Sequence, residues 1–317
     1  MYSVSVIIVN WNSGELLKKC LEKLMHQTIK PERVFVVDNA STDASIGDLD
    51  LPENVTLLQM EANVGFAAGN NQALPLCSTD YVALLNPDAF PEPDWLENLI
   101  VAAENFPNIA VFGSRQLCAD NPQIVDGVGD VYHISGLAWR KGYSQKISDE
   151  QLKSEAIFSS CAAAALYRRS VLDDAGGFDE DYFCYMEDVD LGFRLRLAGY
   201  GAMYVPEAVV HHVGSASTGG QHSDFGVYHG HRNLVWTFVK NMPGILFWLL
   251  LPLHLLLNVV TIIVFSARGQ GKVIWRAKID AIKGLPKMWA KRRQIQKQRV
   301  ASIGDIWRVL DKSWIRK

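Results

Sequence analysis

Short apolar runs alternate with amphipathic segments through the first 90 residues. The runs consist mainly of β-branched and aliphatic residues, as in parallel strands buried on both faces, and they are Val4–Val9, Val34–Val37, Val55–Gln59 and Tyr81–Leu85. Between the first two runs, leucines recur at helical spacing after Asn12-Ser13, which predicts a helix capped by those residues. A second helix is predicted near Ala67–Leu76. Strands that alternate with helices predict βαβ units and a parallel sheet.

The middle of the chain has a less regular pattern. Residues 110–142 are rich in glycine and aromatic residues, which predicts a mixture of strands and loops. Ala162–Leu166 is another apolar run, and Leu191–Leu197 is predicted to be a helix that follows an acidic stretch. A strand and turn are predicted near Ala202–Ser217.

The C-terminal part differs from the rest in both hydropathy and charge. Ile245–Phe265 has about the length of a membrane-spanning helix, although it contains Pro252, His254 and Asn258. From Ala267 onward there are 15 Lys and Arg against 3 Asp and Glu, whereas the preceding residues are strongly acidic. Tryptophans and isoleucines are interleaved with these cations. This pattern favours a basic amphipathic helix at a membrane surface.

The overall composition excludes several classes of protein. With 317 residues, 49% hydrophobic content and a net charge of -3, the chain is neither disordered nor a basic nucleic-acid binder. Its five cysteines form no C-x-x-C pair, which favours reduced thiols in the cytosol over a disulfide framework or a zinc site. The N-terminus has the pattern of a strand and lacks the features of a signal peptide.

Polar clusters follow two of the predicted strands, at the sheet edge where ligands of parallel sheets bind. Asp38 could accept hydrogen bonds from a nucleoside, and it could equally cap a helix. Asn86-Pro87-Asp88 could place a carboxylate against a cation and a diphosphate, but the same residues are also good turn formers.

Two later clusters also carry candidate chemistry. Glu187, Asp188 and Asp190 precede a helix, where the helix dipole alone explains acidic residues, Asp190 in particular. The neighbouring apolar residues would desolvate a carboxylate and raise its basicity. The pair His211-His212 is either structural or a source of one metal ligand.

The order of these clusters resembles glycosyltransferase family 2, which has the GT-A fold, over about residues 3–240. The resemblance is carried by the runs S-V-I-I-V-N-W-N, V-V-D-N-A-S-T-D, N-V-G-F-A-A-G-N-N, L-L-N-P-D-A, G-G-F-D-E-D-Y-F-C-Y-M-E-D-V-D, H-V-G-S-A-S and H-G-H-R-N-L. It is greatest for the rhamnosyltransferase-like branch that builds bacterial O-antigen and cell-wall polysaccharides.

The resemblance implies roles for individual residues. The donor-binding residues that it implies are Val9, Asn10, Asp38, Gly65, Asn70, Asn86 and Asp88. Asp88 and His212, not His211, would bind Mn²⁺ or Mg²⁺, and Asn86 replaces the leading Asp of the family's D-x-D motif. Asp188 would be the catalytic base, with Glu187 beside it. A cation would neutralise the leaving diphosphate while one carboxylate takes the acceptor proton, so that a single displacement inverts the anomeric centre.

Two other functions remain open at this point. A nucleotidyltransferase would need a basic glycine-rich loop near the first strand, where the chain has Asn12-Ser13-Gly14-Glu15. A non-catalytic membrane scaffold would be expected to have lost Asp88 or Asp188, and both are present.

The expected partners are a nucleotide sugar, a polyprenyl-linked saccharide and a membrane surface, with no nucleic acid. Among donors, dTDP-rhamnose ranks ahead of UDP-hexoses and GDP-mannose. We expect a catalytic domain over residues 1–240 and membrane-associating helices over residues 241–317, at the cytoplasmic face of the bacterial inner membrane. A single crossing by Ile245–Phe265 would export the basic tail, against the positive-inside bias. Two arrangements avoid this conflict, namely a re-entrant pair of helices that breaks near Pro252 and a helix that lies in the interface. A further alternative is that Ile245–Phe265 is buried against the GT-A body.

Overall fold

The fold is built on one large mixed sheet, in a computed structural model that describes residues 2–47, 49–214, 219–220 and 222–313. The strands are β1 Val4–Asn10, β2 Arg33–Asp38, β3 Val55–Gln59, β4 Tyr81–Leu85, β5 Ala89–Pro91, β6 Ile109–Cys118, β7 Val125–Gly127, β8 Asp130–Tyr132, β9 Ala138–Arg140, β10 Glu155–Ile157, β11 Ala164–Arg168 and β12 Gly201–His212. The helices are α1 Leu16–Met25, α2 Gly65–Ala73, α3 Trp95–Asn105, α4 Arg169–Ala175, α5 Glu187–Leu197, α6 Asp224–Asn241, α7 Gly244–Phe265, α8 Gly271–Gln298 and α9 Ile303–Val309.

The sheet order is β10-β12-β6-β11-β4-β1-β2-β3. Strands β4, β1, β2 and β3 are mutually parallel, as the buried apolar runs predict. The rest of the sheet is mixed, because β11 pairs antiparallel with both β4 and β6. The polar ends of β1, β2 and β4 therefore share one edge, and β12 returns to that edge beside β6.

Apolar cores lie on both faces of the sheet. One core packs α1 and α3 against the sheet through buried side chains such as Leu17 and Trp95. The other packs α2, α4 and α5, with Ala67, Val171 and Leu191 buried. Helix α1 begins at Leu16 without a side-chain cap. The predicted cap at Asn12-Ser13 is wrong because the Ser13 hydroxyl donates instead to Asn10 Oδ1.

A third core joins the C-terminal helices to the rest of the chain. Lys278 Nζ donates to the His231 carbonyl, and Arg292 donates to the Val239 carbonyl. The second contact lies further along both helices than the first, so α6 and α8 run in the same direction. Helix α7 runs the opposite way, with Phe265 beside His231 and Phe247 beside Phe238. The C-terminal region is therefore packed on the body of the protein.

Helix α7 exposes one apolar face along its length. The exposed side chains are Ile245, Trp248, Leu249, Leu255, Leu256, Val259, Val260, Ile263 and Val264. On the opposite face His254 is buried, stacks on Phe238 at 4.0 Å and donates from Nδ1 to the Ser135 carbonyl at 2.8 Å. Among the described residues, Gly244–Gln298 is the one helical stretch long and apolar enough to cross a membrane.

The chain reverses direction after α7, not within it. The helix continues through Pro252, so the predicted break near that residue is wrong. Leu250 and His254, on either side of the proline, are both buried. The reversal comes at residues 266–270, where Gly269 has a φ of 84° that favours glycine.

Candidate functional site

A pocket of about 390 Å³ lies at the carboxyl ends of β1 and β4 and extends to α6. It brings together residues from across the chain, and the predicted site residues among them are Val9, Gly65, Asn86, Asp88, Glu187, Asp188 and His212. Residues that the sequence placed in two separate groups, around Asp88 and around Asp188, therefore face the same cavity.

Three predicted donor residues lie behind the pocket wall instead. Asn10 is fully buried, and its Nδ2 donates to Asp38 Oδ1 at 2.9 Å. The other oxygen of Asp38 accepts from the Ser41 backbone N–H at 3.1 Å. Asn70 is buried within α2 and donates to the Phe66 carbonyl. These side chains order the edge of the sheet, whereas Asn39, which the sequence analysis missed, lines the pocket.

Gly65 is required by a close contact between two parts of the pocket. Its φ is 87°, and a Cβ atom there would lie 2.5 Å from the Phe183 carbonyl oxygen. The Ala67 backbone N–H donates to that same oxygen at 3.2 Å. The start of α2 is thus held directly against the loop that leads to Glu187 and Asp188.

One side of the pocket carries a chain of charged groups. His212 Nε2 lies 3.2 Å from Asp88 Oδ1, and His212 Nδ1 lies 2.8 Å from Asp126 Oδ2. Arg140 donates to the same Asp126 oxygen at 2.6 Å. Burial alone would lower the pKa of His212, but the two carboxylates raise it to about 9. His211 points elsewhere and pairs with Glu92.

The Asp88–His212 pair fits a divalent cation. In an octahedral site, neighbouring ligands about 2.1 Å from the ion are ~3 Å apart, close to the observed separation of the two side chains. Asp126 holds the other ring nitrogen, as a carboxylate commonly does for a metal-binding histidine. Within the described part of the chain, no three His, Cys, Asp or Glu side chains form a complete metal site. Mg²⁺ usually binds through one or two carboxylates plus substrate phosphates, and the imidazole of His212 suits a transition metal such as Mn²⁺.

The opposite side of the pocket presents the acidic pair at the start of α5. Asp188 accepts from the backbone N–H groups of Val189 at 2.8 Å and Ala162 at 3.3 Å. Burial raises its pKa above the ordinary value, an effect that these hydrogen bonds and the charge of Arg140 reduce. Burial, and then the charge of Asp188, raise the pKa of Glu187 well above its usual range. This combination favours one ionised carboxylate beside a protonated neighbour.

Asp130 is a third carboxyl group in the pocket, which the sequence analysis missed. It accepts from the Ser159 hydroxyl at 3.1 Å. Burial, and then the charge of Asp188, raise its pKa well above the ordinary value, while the charge of Arg140 lowers it. Arg140 therefore acts electrostatically on both sides of the pocket. Gly127 leaves room for it, because a Cβ there would lie 3.3 Å from Arg140 Cδ.

The loop before Asp188 has a strained backbone that α6 holds in place. Phe183, Tyr185 and Met186 all have positive φ, at 65°, 66° and 69°. Fully buried Asn233 places Nδ2 at 2.9, 3.0 and 2.7 Å from the carbonyl oxygens of Tyr182, Cys184 and Tyr185.

A network of ion pairs links the same loop to α6 and α8. Asp190 is fully buried and accepts from Lys240 Nζ at 2.7 Å and from Arg194 Nε at 2.9 Å. Lys291 of α8 binds Asp181 at 2.7 Å and also contacts Asp179. Asp190 thus has a structural role, and the C-terminal helices contact the loop that positions Asp188.

The far end of the pocket is mainly apolar and aromatic. Its lining residues come from the β8–β9 hairpin and from α6, and they include Leu137, Trp139, Phe225, Val227, His231 and Leu234. The predicted H-V-G-S-A-S turn continues past His212, but Ser215–Ser217 lie outside the described residues.

Comparisons with known proteins find related glycosyltransferases. The family model described as Glycosyl transferase family 2 matches residues 5–176. The N-acetylglucosaminyl-diphospho-decaprenol L-rhamnosyltransferase of Mycobacterium tuberculosis (strain CDC 1551 / Oshkosh) is 32% identical over 245 residues, which cover 68% of this chain and 77% of that protein. The O-antigen chain rhamnosyltransferase RfbN of Salmonella typhimurium is 29% identical, over 66% of each chain.

A solved structure shares the fold. GalNAc-T7 with UDP, GalNAc and Mn²⁺ superposes with a TM-score of 0.62 at 13% sequence identity. The match covers 76% of this chain and 48% of that one, so this chain spans about half of that protein.

Proposed function

The chain belongs to glycosyl transferase family 2 and has the GT-A fold, and from this premise we propose that it is a metal-dependent, inverting rhamnosyltransferase. Its donor would be dTDP-rhamnose, ahead of UDP-hexoses or GDP-mannose, and its acceptor a hydroxyl of a lipid-linked or polysaccharide substrate. The observation that carries the proposal is the shared pocket, which has the Asp88–His212 pair on one side and Asp188 on the other.

We assign the donor to the side of the pocket formed by Val9, Gly65, Asn86 and Asp88. Asp88 and His212 would hold Mn²⁺ or Mg²⁺, which supplies positive charge to the leaving diphosphate when bound. Asp126 fixes the orientation of the His212 ring.

Asp188 would act as the general base on the acceptor side. As its carboxylate takes the proton of the acceptor hydroxyl, the acceptor oxygen bonds to the anomeric carbon and the bond from that carbon to the diphosphate oxygen breaks. The nucleoside diphosphate leaves with the bonding electrons, and attack from the opposite face inverts the anomeric centre. The charge of Arg140 favours the ionised form of Asp188, and burial favours the neutral form of Glu187 beside it.

The proposed rhamnosyl donor and lipid-linked acceptor are supported by the two rhamnosyltransferase relatives, one of which is named for a diphospho-decaprenol acceptor. We propose that residues 1–240 form the catalytic domain and residues 241–317 the membrane-associating part. The exposed apolar face of α7 would lie in the membrane interface, on the cytoplasmic side where nucleotide sugars are made.

The test is a donor screen with purified protein, Mn²⁺ and a prenyl-diphosphate-linked saccharide. We expect transfer from dTDP-rhamnose, with inverted configuration by NMR. Asp188→Asn should reduce turnover by about 10²–10⁴-fold, as loss of a general base typically does, while donor affinity stays within a few-fold of wild type. Retained turnover above about a tenth of wild type would reject Asp188 as the base, and no transfer from any nucleotide sugar would reject the function.

A further inference from the structure

The turn between α7 and α8 lies against the N-terminal part of α6, next to the apolar end of the pocket. Gln270 Nε2 donates to Asp224 Oδ1 at 2.8 Å and to the His222 carbonyl at 3.0 Å. Phe265, the last residue of α7, contacts the ring of His231 at 4.6 Å, and His231 lines the pocket. One aromatic ring thus separates this turn from the pocket wall.

Three exposed cations surround this turn. The Arg268 guanidinium lies 5.5 Å from the centroid of Phe265, and the Arg276 guanidinium lies 4.9 Å from that of Tyr228 on α6. Lys272 lies one helical turn before Arg276. Across the described residues, Arg268 and Lys272 form no ion pair, and Arg276 has only a 3.8 Å contact with Asp280. Their charge is therefore available to a ligand.

Exposed apolar side chains adjoin the same cations. Val260 and Ile263 are on the last two turns of α7, and Trp275 and Ile279 are on the first turns of α8. Between 45% and 63% of each of these four side chains is exposed. A ligand with a compact, multiply charged anionic group and a long apolar chain would complement this combination of side chains. Arginine binds phosphate oxygens in a bidentate manner, and the apolar chain would cover the apolar face.

We propose that Arg268, Lys272 and Arg276 bind the diphosphate of a lipid-linked acceptor, with its lipid chain on the exposed face of α7 and α8 and its saccharide in the apolar end of the pocket. The inference rests on the proposed function for the identity of the saccharide. Gly230 supports the placement of the saccharide, since it lines the pocket and a Cβ there would meet nothing within 4 Å.

Other cations of the C-terminal region provide a matched control. Arg293 and Lys297 are exposed at the far end of α8, and Arg308 is exposed on α9. General attraction to anionic headgroups would use these three as well as the cations at the turn. A site for a lipid diphosphate would depend on the turn alone.

The experiment measures capture of the full chain, without nucleotide sugar, by phosphatidylcholine vesicles that contain decaprenyl diphosphate, decaprenol or phosphatidylglycerol. The variants are Arg268→Gln/Lys272→Gln/Arg276→Gln and the control Arg293→Gln/Lys297→Gln/Arg308→Gln, which removes the same charge. We expect the first to weaken capture by decaprenyl diphosphate vesicles about tenfold or more, and the control to stay within about twofold.

Equal losses in both variants would show headgroup attraction and overturn the proposal, as would no loss in either. Tighter capture by phosphatidylglycerol than by decaprenyl diphosphate vesicles, matched in charge, would also overturn it. Because the assay contains no donor, its failure is distinct from failure of the transfer reaction.

Discussion

Replacing Asn233 with leucine would test whether α6 positions the proposed base. The two side chains have similar size, so Asn233→Leu removes the hydrogen bonds with little change in packing. In this variant the Tyr182 carbonyl still accepts a hydrogen bond from the Arg232 guanidinium at 2.9 Å. The carbonyls of Cys184 and Tyr185 lose the Asn233 side-chain amide as a donor. Each hydrogen bond of this kind contributes about 0.5–1.5 kcal/mol, so the loop loses roughly 1–3 kcal/mol of support.

We expect the loop to relax before the domain unfolds, because three of its residues already have positive φ. Displacement of Asp188 should then lower kcat by about fivefold to a hundredfold, since the lost support is about 1–3 kcal/mol and each decade in rate corresponds to about 1.4 kcal/mol. Donor affinity should stay within a few-fold, because the proposed donor contacts lie on other elements. The assay is kcat and donor KM at saturating Mn²⁺, together with Tm by thermal shift.

Asn258→Leu on α7 is the matched control. Within the part of the chain that the structure describes, its Nδ2 donates only to the His254 carbonyl, which lies one helical turn away and far in sequence from the loop. We expect its kcat to stay near that of wild type. If Asn233→Leu retained wild-type kcat, or if both variants lost kcat in proportion to Tm, α6 would not position the base.

Three further predictions follow from the geometry of the pocket. Arg140→Gln removes a cation that lowers the pKa of Asp188, so the base should ionise at higher pH. The acidic limb of the pH profile of kcat/KM should therefore move to higher pH, and an unchanged limb would contradict this prediction. Asp88→Asn should weaken Mn²⁺-dependent donor binding by about tenfold or more in calorimetry, while chelator abolishes turnover of the wild type, and full turnover in chelator would exclude the metal. Gly65→Ala should lower Tm and kcat together, because its Cβ would meet the Phe183 carbonyl at 2.5 Å; wild-type values for both would show that the loop can move away.

The sequence predicted those strands whose residues form a continuous apolar run along the chain. The four runs of the parallel half lie within one or two residues of β1–β4, because burial on both faces leaves an uninterrupted apolar run. The structure brings Asp88, His212 and Asp188 into one pocket, as the resemblance to the family implied.

Residues that act across the fold gave no such signal. Asp126 reaches His212 across 86 positions, and Asn233 reaches Tyr185 across 48. Arg140 lies in a short strand with no motif around it. Asp38 is a different case, because a polar residue at a strand end can both face a ligand and hydrogen-bond its neighbours. Asp38 accepts from Asn10 and Ser41, and its role in donor binding stays a prediction.

Helix α6 forms part of the pocket wall, supports the loop before Asp188 and packs against α8. These shared roles limit which of its residues can be replaced in engineering. Gly230 and His231 line the pocket, Asn233 holds the loop before Asp188, and Trp236 donates to the Ala281 carbonyl of α8. A substitution on α6 meant to admit a different acceptor would therefore also disturb the base and the helix packing. The β8–β9 hairpin reaches the same end of the pocket through Leu137 and Trp139, which can be replaced while Arg140, the hairpin residue that acts on Asp126 and Asp188, is kept. A library aimed at acceptor choice should be built there.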